Sequence, residues 1–181
     1  MTARQLHNHP SADLLVREIE KPSSQVVVGI SDMKLSDNEG DILVTHSLGS
    51  CVGLTLYDAE IHVGGLVHCM LPVSKIDPEK AVNSPCTFVD TGVVVLLQAM
   101  FDVGATRKTI IARVAGASNL LDRKGMFRIG ERNYAMLKKV LFKNEIEIVG
   151  EDVAGTVART MFLRMSDGAT IIKTQGRYIE L

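Results

Sequence analysis

The chain has 181 residues and a mass of 19.7 kDa, enough for one compact domain and too short for two ordinary ones. Its 46% hydrophobic and 23% charged residues exclude a wholly disordered, collagen-like or coiled-coil polypeptide. Twenty Lys+Arg against 21 Asp+Glu, no Trp, and eight Phe and Tyr together leave neither a basic face nor a stacking platform, so nucleic acid is not an expected partner. No window approaches 18 uninterrupted apolar residues, and the polar N-terminus lacks the order of a secretory signal. A cytoplasmic protein without membrane insertion is the expectation. Three cysteines, an odd number, then read as reduced thiols rather than a disulfide framework.

Residues 1–25 are polar, with His7, Asn8, His9, Pro10 and Pro22 broken only by Leu14, Leu15 and Val16. They read as a flexible extension holding at most one short helix. The folded domain is placed at 26–174, and 175–181 as a C-terminal tail. Strands are predicted at 26–30 and 42–45, separated by the turn Asp37-Asn38-Glu39-Gly40. A dense apolar stretch at 51–56, a turn at 57–60 and a strand at 63–71 ending before Pro72 follow. Residues 73–85, with Pro78 and Pro85, read as a surface loop.

A helix is predicted over 88–103, closed by Gly104, then a strand over 109–114 and a loop over 115–127 containing Gly116 and Gly125. A second helix over 131–143 has Tyr134, Leu137, Val140 and Leu141 on one stripe. A strand at 145–149 and a terminal hairpin, 156–164 with 169–173 around Ser166-Asp167-Gly168, complete the chain. Together these predict an α+β fold: mixed or antiparallel sheet layers, sandwich-like, covered by helices.

The chemistry concentrates in Thr45-His46-Ser47-Leu48-Gly49-Ser50-Cys51, a small-residue turn after a strand that can hold one side chain exposed. Seventeen residues on, His68 is the single polar ring of an apolar strand, and a hairpin would bring it near Cys51. Such an imidazole can draw the proton from a thiol that is otherwise only a few per cent ionised at neutral pH. On residue types alone a second reading stands beside this one, since cysteine and a strand histidine are also ordinary core residues. Zinc held by His46, Cys51, His68 and Cys69 is a third, though neither a C-x-x-C pair nor an H-x-x-x-H spacing is present. Cys69 should point opposite to His68, and Cys86 follows a proline, so both read as structural.

From Val26 to Lys173 the chain resembles the chemoreceptor glutamine deamidases of the CheD type. Thr45-x-x-Leu48-Gly49-Ser50-Cys51 is similar to that family's nucleophile loop, and Gly64-Gly65-x-x-His68-x-Met70-Leu71-Pro72 to its histidine strand. Phe88-Val89-Asp90, Ile129-Gly130-Glu131-Arg132-Asn133 and Glu151-Asp152-Val153 match further motifs. The resemblance implies a cysteine-hydrolase-like CheD fold and a triad of Cys51 as nucleophile, His68 as base and Thr45 orienting the imidazole. It implies conversion of glutamine side chains to glutamate through a thioester, with no cofactor and no metal, and amides of the Gly49-Ser50-Cys51 turn facing the oxyanion. The implied substrates are the cytoplasmic helices of methyl-accepting chemotaxis receptors, and a CheC-type phosphatase is an implied partner. The alternatives are a non-catalytic module that binds such a phosphatase, or a thiol hydrolase acting on another amide. Ser47, Ala115, Ala154 and Ala158 stand where that family commonly has glycine, and differently shaped loops are expected there.

Overall fold

The computed structural model describes residues 4–5, 10–120 and 126–181. Of the sequence features above, His7, Asn8, His9 and Gly125 lie outside the described residues. Two sheets stack face to face. The six-stranded sheet runs in the order β1 (Arg4–Gln5), β11 (Arg177–Glu180), β10 (Thr170–Thr174), β9 (Arg159–Arg164), β4 (Ile42–Leu48) and β2 (Gln25–Val27). The five-stranded sheet runs β3 (Met33–Ser36), β6 (Val63–Cys69), β5 (Val52–Asp58), β7 (Ile110–Gly116) and β8 (Ile148–Val153). Only β2 with β4 and β7 with β8 are parallel; every other pair is antiparallel. The expected sandwich of mixed sheets covered by helices is what the chain forms.

Period-2 alternation divides the apolar residues among three interfaces. Leu43, Leu66, Met161, Leu163 and Ile172 fill the space between the sheets. Val52, Leu54, Leu56, Val67 and Cys69 face the other way, onto α3 (Val89–Asp102) and α4 (Ile129–Lys143). Ile42, Val44, Phe162 and Ile171 form the outer face of the six-stranded sheet, covered by Ile19 and Leu15 of α1 (Pro10–Ile19). The molecule is thus four layers deep, and β5 and β6 are buried along their whole length because both faces of their sheet are covered.

Several segments differ from the sequence reading. Residues before Val26 contribute α1, whose Ile19 is fully buried, and β1, which pairs with β11 in the segment read as a tail. The turn expected at 57–60 lies further on, because β5 continues through Asp58 to pair with Val63. The stretch 73–85 holds α2 (Pro78–Asn83), capped by the Asp77 carboxylate, which accepts from the Lys80 amide at 3.0 Å. Pro78 therefore opens a helix instead of interrupting structure, since the first helical position needs no N–H donor. The last strand before the terminal hairpin is 148–153, because α4 ends at Lys143 with Asn144 as its C-cap and Glu145 enters the left-handed region at φ +59°.

Candidate active site

Thr45 and His68 face each other across the gap between the sheets. Both are fully buried. Thr45 Oγ1 lies 2.7 Å from His68 Nδ1 and donates to the Val28 carbonyl at 2.8 Å. A threonine hydroxyl has one proton, and here it is committed to Val28. Oγ1 must therefore accept from the ring, which puts the imidazole proton on Nδ1 and leaves the lone pair on Nε2. Nε2 is itself buried and has no hydrogen-bond partner among the described residues. Burial holds the imidazole down to a pKa of about 4, so the ring is neutral at physiological pH and Nε2 is free to accept a proton.

Cys51 occupies the bend between β4 and β5. In the β5–β6 ladder His68 pairs with Gly53, two residues beyond Cys51, so the cysteine lies on the diagonal from His68. It also shares the ring's face, for Cys51 packs against the residues between the sheets. Diagonal neighbours on one face of an antiparallel pair are about 7–8 Å apart along the backbone, within reach of their side chains. Gly53 keeps this corner open: a Cβ there would come within 2.9 Å of Leu48 Cδ1 and 3.0 Å of Met161 Sδ. Cys51 is half-buried, and burial pushes its thiol up, partly offset by its own backbone N–H. Burial thus disfavours the charged form of both groups, the thiolate of Cys51 and the imidazolium of His68.

The Gly49-Ser50-Cys51 turn is held by its carbonyls. Gly49 O accepts from Ser118 N at 2.8 Å, Ser50 O from Asn133 Nδ2 at 2.9 Å, and Cys51 O from Ala117 N at 2.7 Å. In a trans peptide the C=O and the following N–H point in opposite directions. The N–H groups of Ser50 and Cys51 therefore face away from the loop and helix that bind those carbonyls. Close approach depends on Gly116, at φ +105°, where a Cβ would lie 2.3 Å from Cys51 O. Further along, Ala154 N donates to Gly116 O at 2.9 Å and Asn119 N to Gly155 O at 2.8 Å. Arg159, almost fully buried, grips Asp152 with two bonds of 2.9 Å and the Ala154 carbonyl with one of 3.0 Å, locking that loop between the sheets. At Ser47 and Ala154, where the family commonly has glycine, the chain enters the left-handed region at φ +59° and +65°.

The other ligand-type residues disperse. His46 projects to the exposed outer face of the six-stranded sheet, where its nearest polar contact is Thr160, and Cys69 faces the helices with Cys86. The four residues weighed for zinc thus lie on three different surfaces, and among the described residues no three His, Cys, Asp or Glu are grouped to hold a metal. Asn133, Ser118 and Arg159 were given no role by the sequence. Two signs mark Asn133: it closes the motif Ile129-Gly130-Glu131-Arg132-Asn133, and it is a polar residue four positions before the buried Leu137, on the core face of α4.

A β-sandwich with a hydroxyl–imidazole pair buried between its sheets and a half-buried thiol on the adjoining turn is the class of protein that this fold and site define. The model of the family described as CheD chemotactic sensory transduction matches residues 70–174, more than half of the chain. Among curated proteins the chain is 44% identical to a "Probable chemoreceptor glutamine deamidase CheD 1" of Syntrophus aciditrophicus, over 83% of this chain and 94% of that relative. It is 39% identical to a protein of the same description from Solibacter usitatus, over 87% and 93%. A Pyrococcus horikoshii relative, also described as a probable chemoreceptor glutamine deamidase CheD, is 37% identical over 86% and 97%. The chain belongs to the CheD family. Among the described residues, no helix is long and apolar enough to cross a membrane.

Proposed function

We propose that this protein is a chemoreceptor glutamine deamidase that works through a cysteine thioester, with Cys51 as nucleophile, His68 as base and Thr45 as the residue that orients the ring. The observation that carries this reading is the 2.7 Å contact of Thr45 Oγ1 with His68 Nδ1: with the hydroxyl donating to Val28 O, the ring proton belongs on Nδ1, and Nε2, without a hydrogen-bond partner among the described residues, keeps its lone pair.

His68 Nε2 takes the thiol proton as Cys51 Sγ attacks the carboxamide carbon of a glutamine side chain. The carbonyl π bond opens to an oxyanion, for which the backwards-facing N–H groups of Ser50 and Cys51 are suitable donors. His68 then gives its proton to the nitrogen, the C–N bond breaks, and ammonia leaves a thioester. Water, deprotonated by Nε2, attacks the thioester; the C–S bond breaks, glutamate is formed and the proton returns to sulfur. Because burial disfavours both charged partners, thiolate and imidazolium exist only along the reaction path, where the oxyanion donors offset their cost. The steps use this chain's own groups and water.

The substrate follows from the relatives, which are described as deamidases of chemoreceptors; the cytoplasmic helices of methyl-accepting receptors are the proposed target. Incubation of receptor cytoplasmic fragments with the protein, followed by mass spectrometry of their peptides, tests this. The expected result is glutamines gaining the mass difference between carboxamide and carboxylic acid. No gain in fragments from the same organism's receptors, with wild-type protein in excess, overturns the reading.

A further inference from the structure

Asn133 joins the two motifs that carry the thiol and the imidazole. It is fully buried on α4, and its single amide nitrogen donates at 2.9 Å to Ser50 O, next to Cys51, and at 2.9 Å to Met70 O, two residues past His68. One side chain thus spans the start of β5 and the end of β6 at the corner where Cys51 and His68 lie diagonally. Its helix is seated tightly enough to fix that nitrogen. Gly130, one turn before Asn133, packs so close that a Cβ would lie 2.5 Å from Ala117 O and 2.9 Å from Ser118 O. Those two residues are the ones whose N–H groups hold the carbonyls of Cys51 and Gly49.

We infer that Asn133 is a positioning residue that sets the separation and angle between Cys51 and His68. Both bonds of its nitrogen end on backbone carbonyls of the reactive motifs. Aspartate has the same shape but, when ionised, presents oxygen to both carbonyls. Serine is too short to reach both. Either change frees the nucleophile turn from the histidine strand, and a misplacement of about 1 Å between reacting groups can cost about 10²-fold in rate. The inference rests on the thiol–imidazole pairing proposed above, and it does not require the receptor substrate.

The test is therefore a double-mutant cycle read on Cys51 alkylation by iodoacetamide, in protein shown to be folded by circular dichroism and thermal melting. In the wild-type background His68→Ala should slow labelling. In the Asn133→Ser background the same change should have little further effect, because the two groups are already uncoupled. Asn133→Asp adds a second variant: its labelling rate, as a ratio to wild type at each pH, should recover on acidification, because only a protonated carboxyl can donate to Ser50 or Met70. Deamidation by either variant should show kcat down by about 10- to 100-fold with KM nearly unchanged. Equal His68→Ala effects in both backgrounds, or a folded variant with wild-type labelling, overturn the inference. If wild-type protein fails to deamidate receptors while the cycle shows loss of coupling, the substrate assignment alone falls. If His68→Ala has no effect in the wild type, the pairing falls and the positioning role with it.

Discussion

Thr45 Oγ1 and His68 Nδ1, 2.7 Å apart, belong to different sheets and are joined across the sandwich interior. The contact is neutral on both sides. A carboxylate in such a position would both orient a ring and stabilise its positive charge; a threonine hydroxyl carries no charge, and burial lowers the imidazole's affinity for protons.

The folded ring binds a proton near pH 4, against an ordinary value of 6.5. Between those values the unfolded chain holds more protons, so acid favours unfolding. The stability contributed by a neutral His68 is complete above pH 6.5 and is lost as pH falls toward 4, by about 3 kcal/mol across the window. Urea unfolding of wild type and His68→Gln at several pH values should show this fall in the wild type and a shallower one in the variant. Parallel curves would mean that the ring is not buried as neutral imidazole.

Thr45→Val keeps the volume of the side chain and removes the acceptor for Nδ1–H. A buried donor left without a partner costs about 1–3 kcal/mol, and the ring loses its fixed tautomer. Turnover is expected to fall by about 10²-fold. Thr45→Ser keeps both bonds of Oγ1 and should retain most activity. Comparable rates for Val and Ser would reduce Thr45 to a strand residue.

The three thiols should separate by access. Cys69 is fully buried and Cys86 nearly so, whereas Cys51 is half-buried, so iodoacetamide should label Cys51 first. Burial raises the Cys51 pKa, so labelling should keep rising with pH into the alkaline range instead of levelling off above the acid range as an ion pair would. Cys51→Ala should abolish deamidation, while Cys69→Ala and Cys86→Ala, which remove buried core atoms, should act on stability. Activity should survive a chelator and need a reductant. Loss with EDTA and return with zinc would displace the thiol mechanism.

What the sequence made legible was set by local pattern. Alternation along 63–71 already put His68 and Cys69 on opposite faces, and the structure has one against Thr45 and the other against the helices. The β5–β6 hairpin, the two long helices and the Asp167-Gly168 turn were likewise local. The contact between Thr45 and His68 was not, because no period within β4 or β6 says which strand of the other sheet lies across the gap; there the family resemblance supplied what spacing could not. Asn133 was visible as the end of a family motif and as one polar residue on an apolar stripe, but its two carbonyl partners come from segments 83 and 63 residues away. Helix α2 escaped because Pro78 was weighed as a breaker without the capping Asp77 before it.

The left-handed residues around the site give a reciprocal prediction. Ala154 holds φ +65° because its N–H is bonded to Gly116 O and its carbonyl to Arg159, leaving the backbone no freedom to relax. A left-handed L-residue costs roughly 1–2 kcal/mol, and glycine removes that cost at the expense of some unfolded-state entropy. Ala154→Gly should therefore raise stability by about 0.5–1 kcal/mol, with deamidation unchanged. Gly116→Ala should do the opposite. Its φ of +105° is hostile to a side chain, and the new Cβ would lie 2.3 Å from the Cys51 carbonyl, so either β7 or the Gly49-Ser50-Cys51 turn must move. Thermal melts and turnover of both variants decide the matter: a destabilised Ala154→Gly would show that the left-handed residue carries no strain, and a fully active Gly116→Ala would show that the turn does not depend on this approach for its shape.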